Sequence, residues 1–144
     1  MNIRPENERD FKEIYDLVKT AFETAKVKNG DEQDFVDRLR AGSGYVPELA
    51  LVAEDGGRLI GHLMLTETQL WLEGDGRTGL RLAPLSVALE NRSLGVGAAL
   101  VNEALNRARN KWYEAVFLVG DPAYYGRFGF QSIAKFDLRP SLDI

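Results

Sequence analysis

The stretch LAPLSVALENRSLGVGAALVNEAL, Leu82 to Leu105, decides how the rest of the chain is read. An apolar run through Leu85 and Val87 reads as a buried strand, Leu89–Arg92 as a short polar turn, and Gly95 and Gly97 as a glycine-bearing loop. Leu100, Val101, Ala104, Leu105 and Ala108 then recur at helical spacing. The helix must begin at Arg92-Ser93-Leu94-Gly95-Val96-Gly97. A helix start leaves about four N–H groups without intrahelical partners and carries roughly half a unit of positive charge. Glycines there let an anion come close to the main chain. The segment therefore reads either as a phosphate cradle at a sheet edge or as an ordinary helix start with incidental glycines.

Two other phosphate loops do not fit. A dinucleotide loop needs G-x-G-x-x-G in the first βαβ unit, whereas Gly95-Val96-Gly97 is followed by Ala98, Ala99 and Leu100 after a series of antiparallel-looking strands. A nucleotide P-loop needs Gly-Lys-Ser/Thr, which is absent.

Upstream, Asn2–Arg4 with Pro5 gives a first strand, and Asn7 three residues before Asp10 resembles a capping box. Phe11, Ile14, Val18, Ala21 and Phe22 form one apolar helical stripe that ends at Asn29-Gly30. A second helix is expected from Asp31 to Arg40, with Phe35, Val36 and Leu39 inward. Glu48–Glu54, the hairpin signal Asp55-Gly56-Gly57, and Arg58–Leu72 give two more strands, with Gly61 at a bulge. Glu73-Gly74-Asp75-Gly76-Arg77 turns the chain into a strand over Leu80–Leu89. Pro84 lies within that strand and donates no ladder hydrogen bond, so two neighbouring strands are expected to splay there.

Downstream, the helix ends near Arg109–Lys111, and Ala115–Val119 reads as a short central strand. Asp121-Pro122 supplies an N-cap and a first-turn proline for a brief helix through Tyr124 and Tyr125. Phe130–Ala134 follows as another strand, and Ser141–Ile144 is too short to add a full one. At 144 residues and 44% hydrophobic content, one mixed α/β domain is expected.

Composition narrows the chemistry. A formal charge of −4 argues against nonspecific nucleic-acid binding. No apolar run approaches the roughly 20 residues of a membrane span, and the charged start MNIRPENERDFKE lacks a signal-peptide segment, so a cytoplasmic protein is expected. There is no cysteine, which removes thiolate metal sites and a cysteine nucleophile. His62 is the single histidine; it cannot supply a multi-histidine metal cluster, and it is expected as a partly exposed strand residue, although one Ser–His relay remains open to it. No metal is assigned, and a bound co-substrate is expected to carry the reactive group.

R-x-x-G-x-G at Arg92–Gly97, between a strand and a helix, resembles the Q/R-x-x-G-x-G/A signature of the GNAT superfamily of N-acetyltransferases. The block VFLVGDPAYYGRFGF, Val116–Phe130, looks like that superfamily's next strand and helix, with a tyrosine shortly before a Gly-Phe pair. The phrase Gly120–Tyr125 is most similar to a bacterial subgroup of predicted acetyltransferases. The resemblance implies a mostly antiparallel twisted sheet of about six strands, splayed between the fourth and fifth, with about four helices.

Carried over residue by residue, the resemblance implies acetyl-CoA as co-substrate. Main-chain N–H groups of Arg92, Ser93, Leu94, Gly95, Val96 and Gly97 would hold its pyrophosphate, and Leu85, Ser86 and Val87 would pair with its pantetheine arm. The Val87 N–H would face the acetyl carbonyl, and Tyr125 would protonate the departing thiolate. Asp121 stands where many members have asparagine on the pantetheine. Members also usually add a last strand beside the sixth, so a homodimer would be one way to cover that edge.

Without cysteine, direct attack of a primary amine in a ternary complex is the simplest route. An alkylamine with a pKa of about 10.4 must first lose a proton. Glu67 is the first candidate base, with an exposed strand carboxylate as its equal alternative; Glu90 and Glu73 look like turn residues. By the same resemblance a small-molecule or peptide amine would lie against Phe22–Tyr45 and Thr66–Trp71, where Phe35, Tyr45 and Trp71 are pocket or core. A non-catalytic acyl-CoA sensor of the same fold is the alternative.

Overall fold

The structure, a computed structural model, describes residues 1–24, 30–72, 75–132 and 138–140. Its elements are β1 (Asn2–Pro5), α1 (Phe11–Glu23), α2 (Glu32–Ala41), β2 (Tyr45–Asp55), β3 (Arg58–Leu72), β4 (Asp75–Val87), α3 (Val96–Asn110), β5 (Val116–Phe117), α4 (Pro122–Tyr125) and β6 (Leu138–Pro140). The sheet runs β1-β2-β3-β4-β5, with β6 on β3. Every pairing is antiparallel except β4 with β5.

The sheet is covered on both faces. Leu51, Leu63, Leu65, Leu80 and Leu82 pack with Leu100, Val101 and Ala104 of α3. On the other face Ala50, Val52 and Met64 pack with Ile14 and Val18 of α1 and Val36 of α2. This is why Leu49–Ala53 reads as a continuous apolar run rather than an alternating one. The capping-box reading holds at the entry to α1, where the Asp10 carboxylate accepts the Asn7 N–H at 2.9 Å.

Pro84 sits at an irregularity: Leu63 faces Leu85 while Leu65 faces Leu82, so β4 carries one extra residue there. β4 nevertheless stays on β3 as far as Val87. What ends near Pro84 is the other edge, since β5 pairs only at Leu80↔Val116 and Arg81↔Phe117. Among the described residues no strand pairs with that edge from Leu82 to Val87, and the expected splay between the fourth and fifth strands is present. Gly61 is also placed as expected, next to a register shift in β3. A Cβ on it would come within 2.9 Å of Val96 Cγ1, so its absence lets the start of α3 lie close on the sheet.

Several boundaries differ. β2 begins at Tyr45 and β4 at Asp75, earlier than the expected Glu48 and Leu80. β5 is two residues long and, among the described residues, pairs with β4 alone, so it is not the central strand expected over Ala115–Val119; Val119 is 97% exposed. Phe130, Gln131 and Ser132 form no strand. The last strand instead pairs with Leu70–Leu72 of β3, where β2 no longer reaches. Asn29, the turn residues Glu73-Gly74, residues 133–134 and Ser141–Ile144 lie outside the described residues.

Gly44 gives a direct check on this packing. A Cβ there would meet the Glu67 carbonyl oxygen at 2.6 Å, backbone against backbone. Gly44→Ala is expected to lower stability by about 1–3 kcal/mol in urea unfolding. Gly126→Ala, at an open helical position, is expected to be neutral or to stabilise by up to about 1 kcal/mol.

Candidate active site

Where β4 leaves the sheet, a short 3-10 turn at Leu89–Asn91 leads into four residues of loop before α3. Ser93 (φ 64°) and Gly95 (φ 86°) are both left-handed, a conformation that turns successive N–H groups toward one concavity. Among the described residues, the N–H groups of Ser93, Leu94, Gly95, Val96, Gly97 and Ala98 donate to no protein acceptor. The Arg92 N–H points at the Leu89 carbonyl at a long 3.4 Å. Six unclaimed donors at a helix N-terminus are the arrangement that an anion-binding role requires.

The gap between β4 and β5 opens onto this turn. A Cβ on Gly97 would sit 2.6 Å from Tyr124 Oη, 3.6 Å from Val87 Cγ2 and 3.8 Å from Leu85 Cδ2. Leu85, Val87 and the Tyr124 hydroxyl therefore converge on the first turn of α3, and Ser86 between them points to the opposite face. The Arg92 side chain does not enter the cradle. It donates to the Ala21 carbonyl at 2.7 Å and to Thr24 Oγ1 at 3.2 Å, capping the last turn of α1.

Asp121 accepts the Ala123 N–H at 2.9 Å as the N-cap of α4. Tyr125 follows half-buried, its ring lying against Gly120, where a Cβ would be 2.7 Å from Cε2. It stacks edge-on with Tyr124 at 4.9 Å and Phe130 at 5.9 Å. Burial, with a smaller contribution from Tyr124, raises the Tyr125 pKa above the usual phenol value and keeps the hydroxyl protonated. Arg127 was not singled out from the sequence, yet its guanidinium lies 4.1 Å from the centre of the Tyr124 ring and puts a cation beside the gap.

Glu67 is not brought to the cradle. The ladder pairs Gly61 with Val87 and Glu67 with Leu80, so the two positions are roughly 20 Å apart at about 3.3 Å per residue. Its carboxylate accepts a hydrogen bond from the Tyr113 hydroxyl just past the far end of α3. Glu90 is paired with Arg58, and Glu73 lies outside the described residues. Of the expected pocket aromatics, Phe35 lies under Arg38 and Arg81, whereas Tyr45 turns its hydroxyl inward onto Glu6.

His62 corrects another expectation: it is fully buried rather than partly exposed. It belongs to a cluster around Glu6, whose carboxylate accepts from Arg40 Nε (2.7 Å), Arg40 Nη2 (3.0 Å), the Tyr45 hydroxyl (2.8 Å) and His62 Nε2 (2.9 Å). A lone histidine and a glutamate 56 positions apart carry no local signal, and only the β1–β2–β3 ladder brings them together.

Comparison with known proteins now decides the family. The model of the acetyltransferase (GNAT) domain matches residues 2–133. The chain belongs to the GNAT acetyltransferase family. It is 32% identical to the uncharacterized N-acetyltransferase YhbS of Escherichia coli (strain K12), over 96% of this chain and 78% of that protein. It is 31% identical to the E. coli protein YjhQ, named likewise, over 87% of this chain and 66% of that one, just under two thirds of its length. Among solved structures, a GNAT acetyltransferase from Brucella melitensis in complex with acetyl-CoA superposes with a TM-score of 0.82 at 32% identity, over 91% of this chain and 82% of that one. YhbS from E. coli in complex with CoA gives 0.80 at 32% identity, over 93% and 70%. The GNAT signature thus coincides with the unclaimed amides of Ser93–Gly97.

Acid titration tests the buried cluster. Burial by itself would raise the Glu6 pKa, but the hydrogen bonds from His62 and Arg40 override it and bring it to about 2 from the usual 4.5. A depressed carboxyl contributes stability above its unfolded pKa and loses it as pH falls through the folded one. Of the wild-type stability, on the order of 3 kcal/mol is expected to disappear between about pH 4.5 and pH 2. Urea midpoints should show Glu6→Gln well below wild type at pH 7, with the difference narrowing toward pH 2.

Proposed function

We propose that this GNAT protein is an N-acetyltransferase that moves an acetyl group from acetyl-CoA to a primary amine by direct attack in a ternary complex. The observation that carries the reading is the row of unclaimed N–H groups at Ser93–Ala98, opening on the parting of β4 and β5. The fit is supported by two solved relatives at 32% identity that hold acetyl-CoA and CoA.

In this reading the amides of Ser93 to Gly97 hold the pyrophosphate, the Arg92 N–H being turned to the Leu89 carbonyl. The free edge of Leu85, Ser86 and Val87 pairs with the pantetheine arm as an added strand would. The Val87 N–H faces the acyl carbonyl and stabilises the charge that grows on its oxygen during attack. The neutral amine nitrogen bonds to the acyl carbon, the carbon–sulfur bond breaks, Tyr125 gives its proton to the thiolate, and the phenolate takes one back from the newly acylated nitrogen. Asp121, with one oxygen committed to the Ala123 N–H, keeps its second for a pantetheine N–H. No acyl-enzyme on cysteine is available, because the chain has none. Among the described residues no helix is long and apolar enough to cross a membrane.

Acetyl-CoA at a hundred times its Kd is expected to stabilise the fold by about 2.7 kcal/mol, read from urea midpoints with and without ligand. Tyr125→Phe should keep that stabilisation while kcat for thiol release falls roughly 10²- to 10⁴-fold. Stabilisation without thiol release from any primary amine would favour the acyl-CoA sensor instead. No stabilisation at saturating ligand would reject both.

A further inference from the structure

Arg81 stands opposite Phe117 on the last rung that β4 and β5 share, where the two strands part. Leu80 and Leu82 on either side of it pack toward α3, so its side chain leaves from the opposite face, the one covered by α1 and α2. There its guanidinium lies 5.6 Å from the centre of the Phe35 ring. Arg38, one turn along α2 from Phe35, brings a second guanidinium to 5.8 Å from the same ring. A cation attracted to an aromatic ring still keeps its N–H donors for other partners.

Arg81 is half-buried, and among the described residues no carboxylate, carbonyl or hydroxyl accepts from it. The Arg38 guanidinium has one ion pair there, a long 3.5 Å to Asp31, with both side chains more than half exposed. The chain is not short of acids, having 22 against 18 lysines and arginines. Those of α2 that could turn to Arg81 are spent elsewhere, Asp34 on the Tyr15 hydroxyl at 3.1 Å and Asp37 on Arg40 at 3.0 Å. A charge drawn partly out of water without a counterion is costly, and a guanidinium fork matches an oxyanion in two parallel hydrogen bonds. Two such forks over one ring are a place for an oxyanion that the protein does not itself supply.

We propose that Arg81, with Arg38 beside it, binds an oxyanion at the far end of the acceptor, so that the preferred substrate is an elongated primary amine ending in a carboxylate or phosphate. This rests on the acetyl-transfer reading. In that reading acetyl-CoA fills the α3 side of the parting, and the amine reaches the thioester from the α1–α2 side, where Arg81 lies. Six residues of β4 separate Arg81 from Val87, roughly 20 Å at about 3.3 Å per residue. Amine and anion are therefore far apart in the substrate, by that span less the reach of the arginine side chain. The same two cations repel a second ammonium group, which disfavours a diamine of equal length. A net charge of −4 would by itself favour a cationic acceptor. The local pair outweighs it, because exposed charges beyond a Debye length of about 10 Å are largely screened.

The test is kcat/KM for thiol release from acetyl-CoA with ω-amino carboxylates of three to twelve carbons. Each is matched to the carboxamide, the aminoalkyl phosphate and the diamine of equal length. In the long members the wild type is expected to favour the carboxylate or the phosphate over the carboxamide roughly 10- to 100-fold, with the diamine below the carboxamide. Preference for one oxyanion over the other supports the proposal and says which of them the site takes. Arg81→Gln should bring the ratio to about 1 through the KM for the anionic amine, with stabilisation by acetyl-CoA kept, and Arg38→Gln should lower it by less. A ratio of about 1 at every length for both oxyanions, a preference confined to the shortest members, or one that persists in Arg81→Gln would overturn the proposal and leave acetyl transfer standing. Absence of any stabilisation of the wild type by acetyl-CoA is a different result, which removes the acetyl-transfer reading itself. Nitrogen-15 NMR of the arginine side chains in the wild-type protein saturated with CoA needs no variant to fold. A long N-acetylated ω-amino carboxylate is expected to shift the Arg81 Nε signal and its carboxamide to leave it in place; an Arg81 signal that moves with neither overturns the assignment.

Discussion

The structure depends on one interrupted ladder. Among the described residues, β4 and β5 share only the pairings at Leu80 and Arg81, and beyond them β4 keeps β3 on one side and pairs with no strand on the other. An unpaired strand edge inside a folded domain leaves backbone donors and acceptors that water or a ligand must satisfy. The same strand runs into a loop whose left-handed Ser93 and Gly95 turn further N–H groups outward, and into the positive end of α3. Edge and helix start together make two sets of main-chain donors, separated by the engaged N–H groups of Ala88, Asn91 and Arg92, with room for an extended ligand that has an anionic end. Catalysis of acyl transfer asks for donors fixed before the reaction, and backbone N–H groups in a packed sheet meet that demand.

What keeps this row in place is packing elsewhere. Gly61 admits the first turns of α3 to the sheet, and Arg92 ties the loop to the Ala21 carbonyl and the Thr24 hydroxyl at the end of α1. The Glu6 cluster binds the segment after β1 to α2, β2 and β3 through one carboxylate. Breaking such a buried pair from one side strands a charge, at a cost of about 3–5 kcal/mol. The cluster therefore fixes the face of β3 that carries His62, beside β4.

Much of this was legible in the chain. The glycine spacing at Arg92–Gly97, the helical stripe of α3, the long strand Arg58–Leu72 and the Asp121-Pro122 cap all carry local signals, and each stands where it was expected. Pro84 marked the interruption correctly because proline cannot donate to a ladder, although the pairing it keeps is with β3. The failures are non-local. β5 looked central from its apolar content, yet a strand's neighbours are set by topology and not by composition. Glu67 looked close to the splayed strand in sequence, but register places it six rungs away from Val87. His62 looked like a half-exposed strand residue because nothing near it in sequence announces Glu6, Arg40 or Tyr45.

The most direct measurement is backbone amide NMR of the protein titrated with CoA. The account predicts that the N–H signals of Ser93 to Gly97 shift and become protected from exchange together with Val87, while those of Leu63 and Leu65, already bonded within the sheet, stay where they are. Saturation with CoA that leaves the Ser93–Gly97 amides unmoved, with the shifts elsewhere on the protein, would contradict it.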